Sequence, residues 1–188
     1  MSTRRDITKR PAIRRSVMLR RNDFNTTGTA AGGVASPGAI FGDPGTWDVL
    51  IFEGNALKTD RAVAVLPFTT AGVVNGSIHA RFIFFQSGTD TNDIELGSLI
   101  YPVADNEGPS LASGAVLVNT TCNGNSGRIH VSGWSAPITF SATWAPGDIL
   151  FYEISRISQT GNDDSASHCY LFAVEVSYLE LDATVIVV

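Results

Sequence analysis

Few residues in this chain have the type and spacing that chemistry requires. The histidines stand singly at His79, His130 and His168, and no HxH, HExxH or Cys/His spacing offers a metal its ligands. Each is expected to be a satisfied core or surface imidazole. Cys122 and Cys169 are 47 residues apart and form no CxxC motif. Two buried free thiols are the expectation, with a single disulfide left open. The chain has no GxSxG elbow, and the glycines at 72–76 and 124–127 have no βαβ unit around them to cradle a phosphate. Hard oxygen ligands of the kind calcium takes gather at Asp90, Asn92, Asp93 and Glu95, and again at Asn162, Asp163 and Asp164. Glu95 stands where an EF-hand loop needs glycine, so these read as solvated turn residues. No catalytic residue, metal or other cofactor is expected, and an enzyme is the least supported class.

The charged residues carry more information. Eight of the thirteen basic residues fall within positions 1–21, mostly as doublets: Arg4, Arg5, Lys9, Arg10, Arg14, Arg15, Arg20 and Arg21. Against one acid, Asp6, that segment carries +7, while residues 22–188 carry −12 and the whole chain −5. Such an asymmetry reads as a basic interaction arm on an acidic body. Guanidinium groups pair well with carboxylate surfaces and can neutralise phosphates without reading sequence. No aromatic residue interleaves with these arginines, so base stacking is not indicated. All eight basic residues are expected to anchor the arm to a partner.

An acidic body of this length suits one domain with a proper core. No apolar run reaches the ~20 residues of a membrane span, and no apolar segment follows the basic stretch as a secretory signal requires. The Asn-x-Ser/Thr sites at Asn25, Asn75 and Asn119 are therefore read as chance matches in a Thr-rich chain.

The elements that must position these groups are strands. Residues 1–21 form the arm, and residues 22–46, rich in Gly, Thr, Ala and Pro, read as a linker. Across 47–188, short β-prone runs recur at 47–53, 61–68, 76–86, 94–101, 114–120, 127–132, 136–143, 148–157 and 167–181. Turn signals such as Gly54-Asn55, Pro146-Gly147 and Gly161-Asn162 separate them. Ile78, Ala80, Phe82 and Phe84 alternate with His79, Arg81, Ile83 and Phe85. Near the C-terminus, Tyr170, Phe172, Val174 and Val176 read as the core-facing set. No segment carries a helical period. The fold class is all-β: a single jelly-roll-like antiparallel β-sandwich with an extended basic N-terminal arm. The uncharged β-branched run 183–188 is expected to pair with a strand, because left free it would be an adhesive edge.

The stretch from Trp144-Ala145-Pro146-Gly147-Asp148 to Arg156, the following Gly-Asn-Asp-Asp-Ser turn and Tyr170–Tyr178 resemble the closing hairpin of tailed-phage virion accessory jelly-roll proteins. The resemblance covers about 35 residues and does not include the arm. It implies a non-enzymatic virion accessory subunit of head-decoration or of tail-fibre or baseplate type, many of them trimers. The basic arm favours the first: a capsid decoration (cement) subunit on the head exterior of a virion, as a homotrimer. Its arm would grip acidic patches of the major capsid protein, with nucleic acid as another arm partner and no membrane. Two alternatives stay open: a single-jelly-roll coat protein whose arm packs RNA, and a tail-fibre or baseplate module that binds a receptor or glycan. The last requires an exposed aromatic on a solvent-facing groove. Trp134, in the Gly133-Trp134-Ser135 loop, is the one visible candidate, although tryptophan is more often largely buried.

Overall fold

The computed structural model describes residues 12–25, 36–42, 45–54, 59–105, 115–139, 145–157 and 162–181. They form a β-sandwich of two antiparallel sheets with the jelly-roll architecture expected from the sequence. The strands are β1 (Ala12–Arg20), β2 (Phe24–Asn25), β3 (Ser36–Gly42), β4 (Gly45–Phe52), β5 (Thr59–Thr69), β6 (His79–Gln86), β7 (Asp93–Val103), β8 (Val116–Thr121), β9 (Ile129–Val131), β10 (Ile149–Ile157) and β11 (Cys169–Leu181). One sheet runs β3-β4-β11-β6-β9, with β1 also paired to β11, and the other runs β2-β5-β10-β7-β8.

Strand alternation builds the core. Ile78, Ala80, Phe82 and Phe84 face inward, as the two-residue period requires. They meet Ile94, Leu96, Ile100, Leu150 and Ile154 of the opposite sheet. The expectation for β11 is half corrected. Cys169 and Leu171 are buried at its start and Val174 and Val176 further on, so the inward set changes phase partway along. The register against β6 slips between Leu171 and Ala173. One extra residue in a strand flips every side chain beyond it to the other face.

Three differences concern the elements expected around the core. Residues 12–20, read as part of the arm, are a full strand whose pairing with β11 runs from Ala12 opposite Leu181 to Arg20 opposite Ala173. Alternation within the arm explains this: Val17 and Leu19 sit on one face, Leu19 is 2% exposed, and both pack into the core. The stretch read as linker contributes β2, where Phe24 is buried, and β3, which pairs with β4 from Gly45 to Ile51. Of the run expected to be a strand over 136–143, the described part, 136–139, holds an isolated bridge, Ile138 to Ile78. The C-terminal run 183–188 and Arg4, Arg5, Lys9 and Arg10 lie outside the described residues.

A buried ion pair closes one end of the sandwich. Arg156 projects from β10 toward Asp163 in the loop before β11, and both side chains are fully buried. Its guanidinium also donates to the carbonyls of Ser165 (2.9 Å) and Ser167 (2.7 Å). Gly54 passes so close to this loop that a Cβ there would collide with the carbonyls of Ala166 and Ser167.

Candidate functional site

The outer face of the β1-β11-β6 sheet carries the groups that point to a ligand. In β6, His79 and Arg81 share the face opposite the core-facing residues. Antiparallel pairing sets Ser177 opposite His79 and Glu175 opposite Arg81. On the other side of β11, Ser16 lies opposite Ser177 and Arg14 opposite Leu179. Side chains directly opposite each other in a sheet share a face and touch. Three strands thus bring Arg14, His79 and Ser177 together from positions far apart in sequence.

The fourth member comes from the loop after β9. Ser132 and Ser135 each use both backbone and side chain to hold this loop against β6. The Ser132 amide donates to the Phe82 carbonyl (2.9 Å), and the Ser132 hydroxyl accepts from the Phe82 amide (2.8 Å). The Ser135 amide donates to the Ala80 carbonyl (2.8 Å), and its hydroxyl accepts from the Ala80 amide (3.0 Å). Between these two clamps Gly133 and Trp134 bulge outward. Both serines are buried, while Trp134 is 45% exposed. Trp134 is therefore held out by serine hydroxyls that take the place of regular strand pairing.

Arg14, His79, Trp134 and Ser177 line a groove of about 320 Å³. The indole has the Arg81 guanidinium against its ring, 4.7 Å from the centroid, a cation–π arrangement. Glu175 in turn holds Arg81, accepting from Nε at 2.7 Å and Nη2 at 2.6 Å. The Arg14 Nη1 donates to the Ser177 hydroxyl at 3.0 Å. The ring nitrogen Nδ1 of His79 lies 2.9 Å from the Ser135 carbonyl, so it must carry the proton, and Nε2 is the acceptor of the neutral ring. The groove thus combines a flat apolar surface with a guanidinium fork, a ring nitrogen and a hydroxyl, the mixture that fixes and orients a small polar ligand.

The other sequence candidates are occupied elsewhere. His130 is buried and stacks on Phe84 at 5.2 Å, and burial lowers its pKa. The Nδ1 of His168 accepts the Gly54 amide at 2.9 Å. In the acidic loops, Asp164 accepts from the Asp93 amide (2.7 Å) and Asp90 from the hydroxyls of Ser165 (3.1 Å) and Ser167 (2.5 Å). Among the described residues no group of three or more His, Cys, Asp or Glu side chains is arranged to hold a metal ion. Cys122 and Cys169 are both buried free thiols.

The basic residues expected to anchor an arm divide sharply where they are described. Arg14 lines the groove, Arg15 pairs with Glu180 at 3.0 Å, and Arg21 donates to Asn22 at 2.7 Å. Arg20 ends β1, and its backbone amide donates to Asp23 at 2.7 Å. Sequence reasoning had His79 and Arg81 on one face and Trp134 in a loop. It had no signal that Arg14 and Ser177 would join them.

No protein-family model and no curated protein matches this chain. Solved structures resemble it in fold. One is the CBM36-1 domain of a multidomain xylanase from the hindgut metagenome of Trinervitermes trinervoides, with a TM-score of 0.46 and 8% identity over 86% of this chain and 96% of that one. Another is the carbohydrate-binding module CBM36 in complex with calcium and xylotriose, with a TM-score of 0.46 and 16% identity over 85% and 98%. A third is the family 11 carbohydrate-binding module from Clostridium thermocellum in complex with a β-1,3-1,4-mixed-linked tetrasaccharide, with a TM-score of 0.42 and 12% identity over 85% and 94%. The class defined here is the jelly-roll β-sandwich. The expectation of a capsid decoration subunit, with its virion and cement associations, is corrected on the structure of the arm itself. The arm on which that expectation depended is in part a strand of the sandwich, because Val17 and Leu19 gain core burial there.

Proposed function

We propose that this chain is a non-catalytic binding module that holds a saccharide in the groove of Arg14, His79, Trp134 and Ser177. The observation that carries the reading is the exposed indole of Trp134, fixed outward beside three hydrogen-bonding side chains. A pyranose ring has an apolar face of C–H groups and an equator of hydroxyls. The first packs on an aromatic plane, and the second is met by guanidinium, imidazole and hydroxyl partners. The serine clamps hold the indole in place before the ligand arrives, which lowers the ordering cost of binding. Among the described lining residues there is no pair of carboxyl groups of the kind that usually cleaves a glycosidic bond.

The test is binding to an array of neutral and acidic oligosaccharides, followed by calorimetry on the best ligand with the full chain and with Trp134→Ala. Binding that weakens at least about tenfold in the variant supports the reading, since tryptophan is the residue most often dominant at binding sites. The melting temperature should barely move, because the ring is half exposed. Absence of binding across the array, or affinity indifferent to Trp134→Ala, overturns it.

A further inference from the structure

Taking the groove as a saccharide site, we infer that its ligand is an acidic sugar, a pyranose carrying a carboxylate that Arg14 receives. The two guanidinium groups near Trp134 differ in one decisive respect. Arg81 is already neutralised, since Glu175 takes both its Nε and Nη2. Arg14 has no carboxylate partner among the described residues; its one contact is the neutral hydroxyl of Ser177. That contact fixes one corner of the fork and leaves its remaining N–H groups for a ligand.

A planar guanidinium matches a carboxylate with two parallel hydrogen bonds, and such charge-assisted bonds are about twice as strong as neutral ones. None of the groove's lining residues Arg14, His79, Trp134 and Ser177 is acidic, so nothing in that set competes for Arg14. An acidic pyranose would set its ring on Trp134 and its carboxylate on Arg14. A densely charged polyanion suits the groove poorly: among the described lining residues one unpaired arginine faces it, and the whole chain carries −5. The chemistry selected is one or a few carboxylated sugars, as found in uronic acid oligomers or sialylated termini.

The experiment uses matched probes. Digalacturonic acid is titrated against its methyl ester and 3′-sialyllactose against lactose, with heparin as the dense polyanion. Each is measured on the full chain, on Arg14→Gln, on Arg14→Lys and on Trp134→Ala. At least one acidic probe should bind at least about tenfold more tightly than its neutral counterpart, the size expected for hydrogen bonds to a charged group. Arg14→Gln should erase that preference, Arg14→Lys should retain part of it, and Trp134→Ala should weaken acidic and neutral probes alike. Whichever acidic probe shows the preference identifies the source of the carboxylate. Equal affinity for acidic and neutral probes, or a preference that survives Arg14→Gln, overturns this inference and leaves the saccharide reading standing. Binding to heparin alone, indifferent to Arg14→Gln and Trp134→Ala, overturns both, as does no binding by any probe or by the wider array.

Discussion

Arg156 and Asp163 meet fork to fork inside the protein, Nε to Oδ2 at 2.8 Å and Nη2 to Oδ1 at 3.0 Å, with neither side chain exposed to solvent. Two charges removed from water are tolerated only when their hydrogen-bonding capacity is filled. Here Arg156 also donates to the carbonyls of Ser165 and Ser167, and Asp163 accepts the Glu95 amide at 3.0 Å. The pair therefore ties β10, β7 and the loop before β11 into one end of the sandwich.

Removing one partner should be severe. Asp163→Ala leaves a buried guanidinium without its counter-charge, and a loss of about 3–5 kcal/mol is expected. Chemical denaturation of the variant beside the parent protein checks it. A loss under about 1 kcal/mol, the range of exposed ion pairs, would contradict the burial of this contact.

Leu19 tests whether β1 belongs to the fold. The residue is 2% exposed and packs in the main core. Leu19→Ala should cost about 2–5 kcal/mol, as for other buried leucines. A solvated arm would show almost no change in the denaturation midpoint.

Glu153 should make the protein less stable as pH rises. It is buried, and the burial outweighs the Arg61 guanidinium 3.5 Å away, so its pKa is raised. A carboxyl with a raised folded-state pKa binds its proton more tightly in the folded protein. Its contribution is fully present below the unfolded value, ~4.3, and is lost as pH climbs through the folded value. Glu153→Gln should therefore gain on the parent protein from acidic to neutral pH. Melting temperatures of both across that range decide it, and parallel curves would contradict it.

The two thiols should be inert in the folded protein. Burial first, with Asp90 adding to it, pushes Cys122 up to about 11, and burial pushes Cys169 up to about 12 despite Arg156 nearby. The thiolate is the reactive form, so a maleimide near neutral pH should label neither residue until denaturant is added. Rapid labelling of the native protein would show that the cysteine region opens readily.

The sequence by itself determined the class of fold and most of its strands, because strand alternation and turn chemistry are local signals. Ile78, Ala80, Phe82 and Phe84 declare a buried face within seven residues, and Pro146-Gly147 marks its turn without outside help. Trp134 could be singled out for the same reason, as an aromatic in a Gly-Ser loop. Only the tertiary structure decided how these pieces meet. The phase change in β11 comes from a slip against β6, a strand some ninety positions earlier. Arg14 left the arm for the groove because β1 pairs with β11, and its contact with Ser177 spans 163 residues. Trp134 is exposed because Ser132 and Ser135 clamp the backbone of β6 at Phe82 and Ala80. Which strand lies beside which depends on burial and hydrogen bonding gained between distant segments, and no local period encodes that.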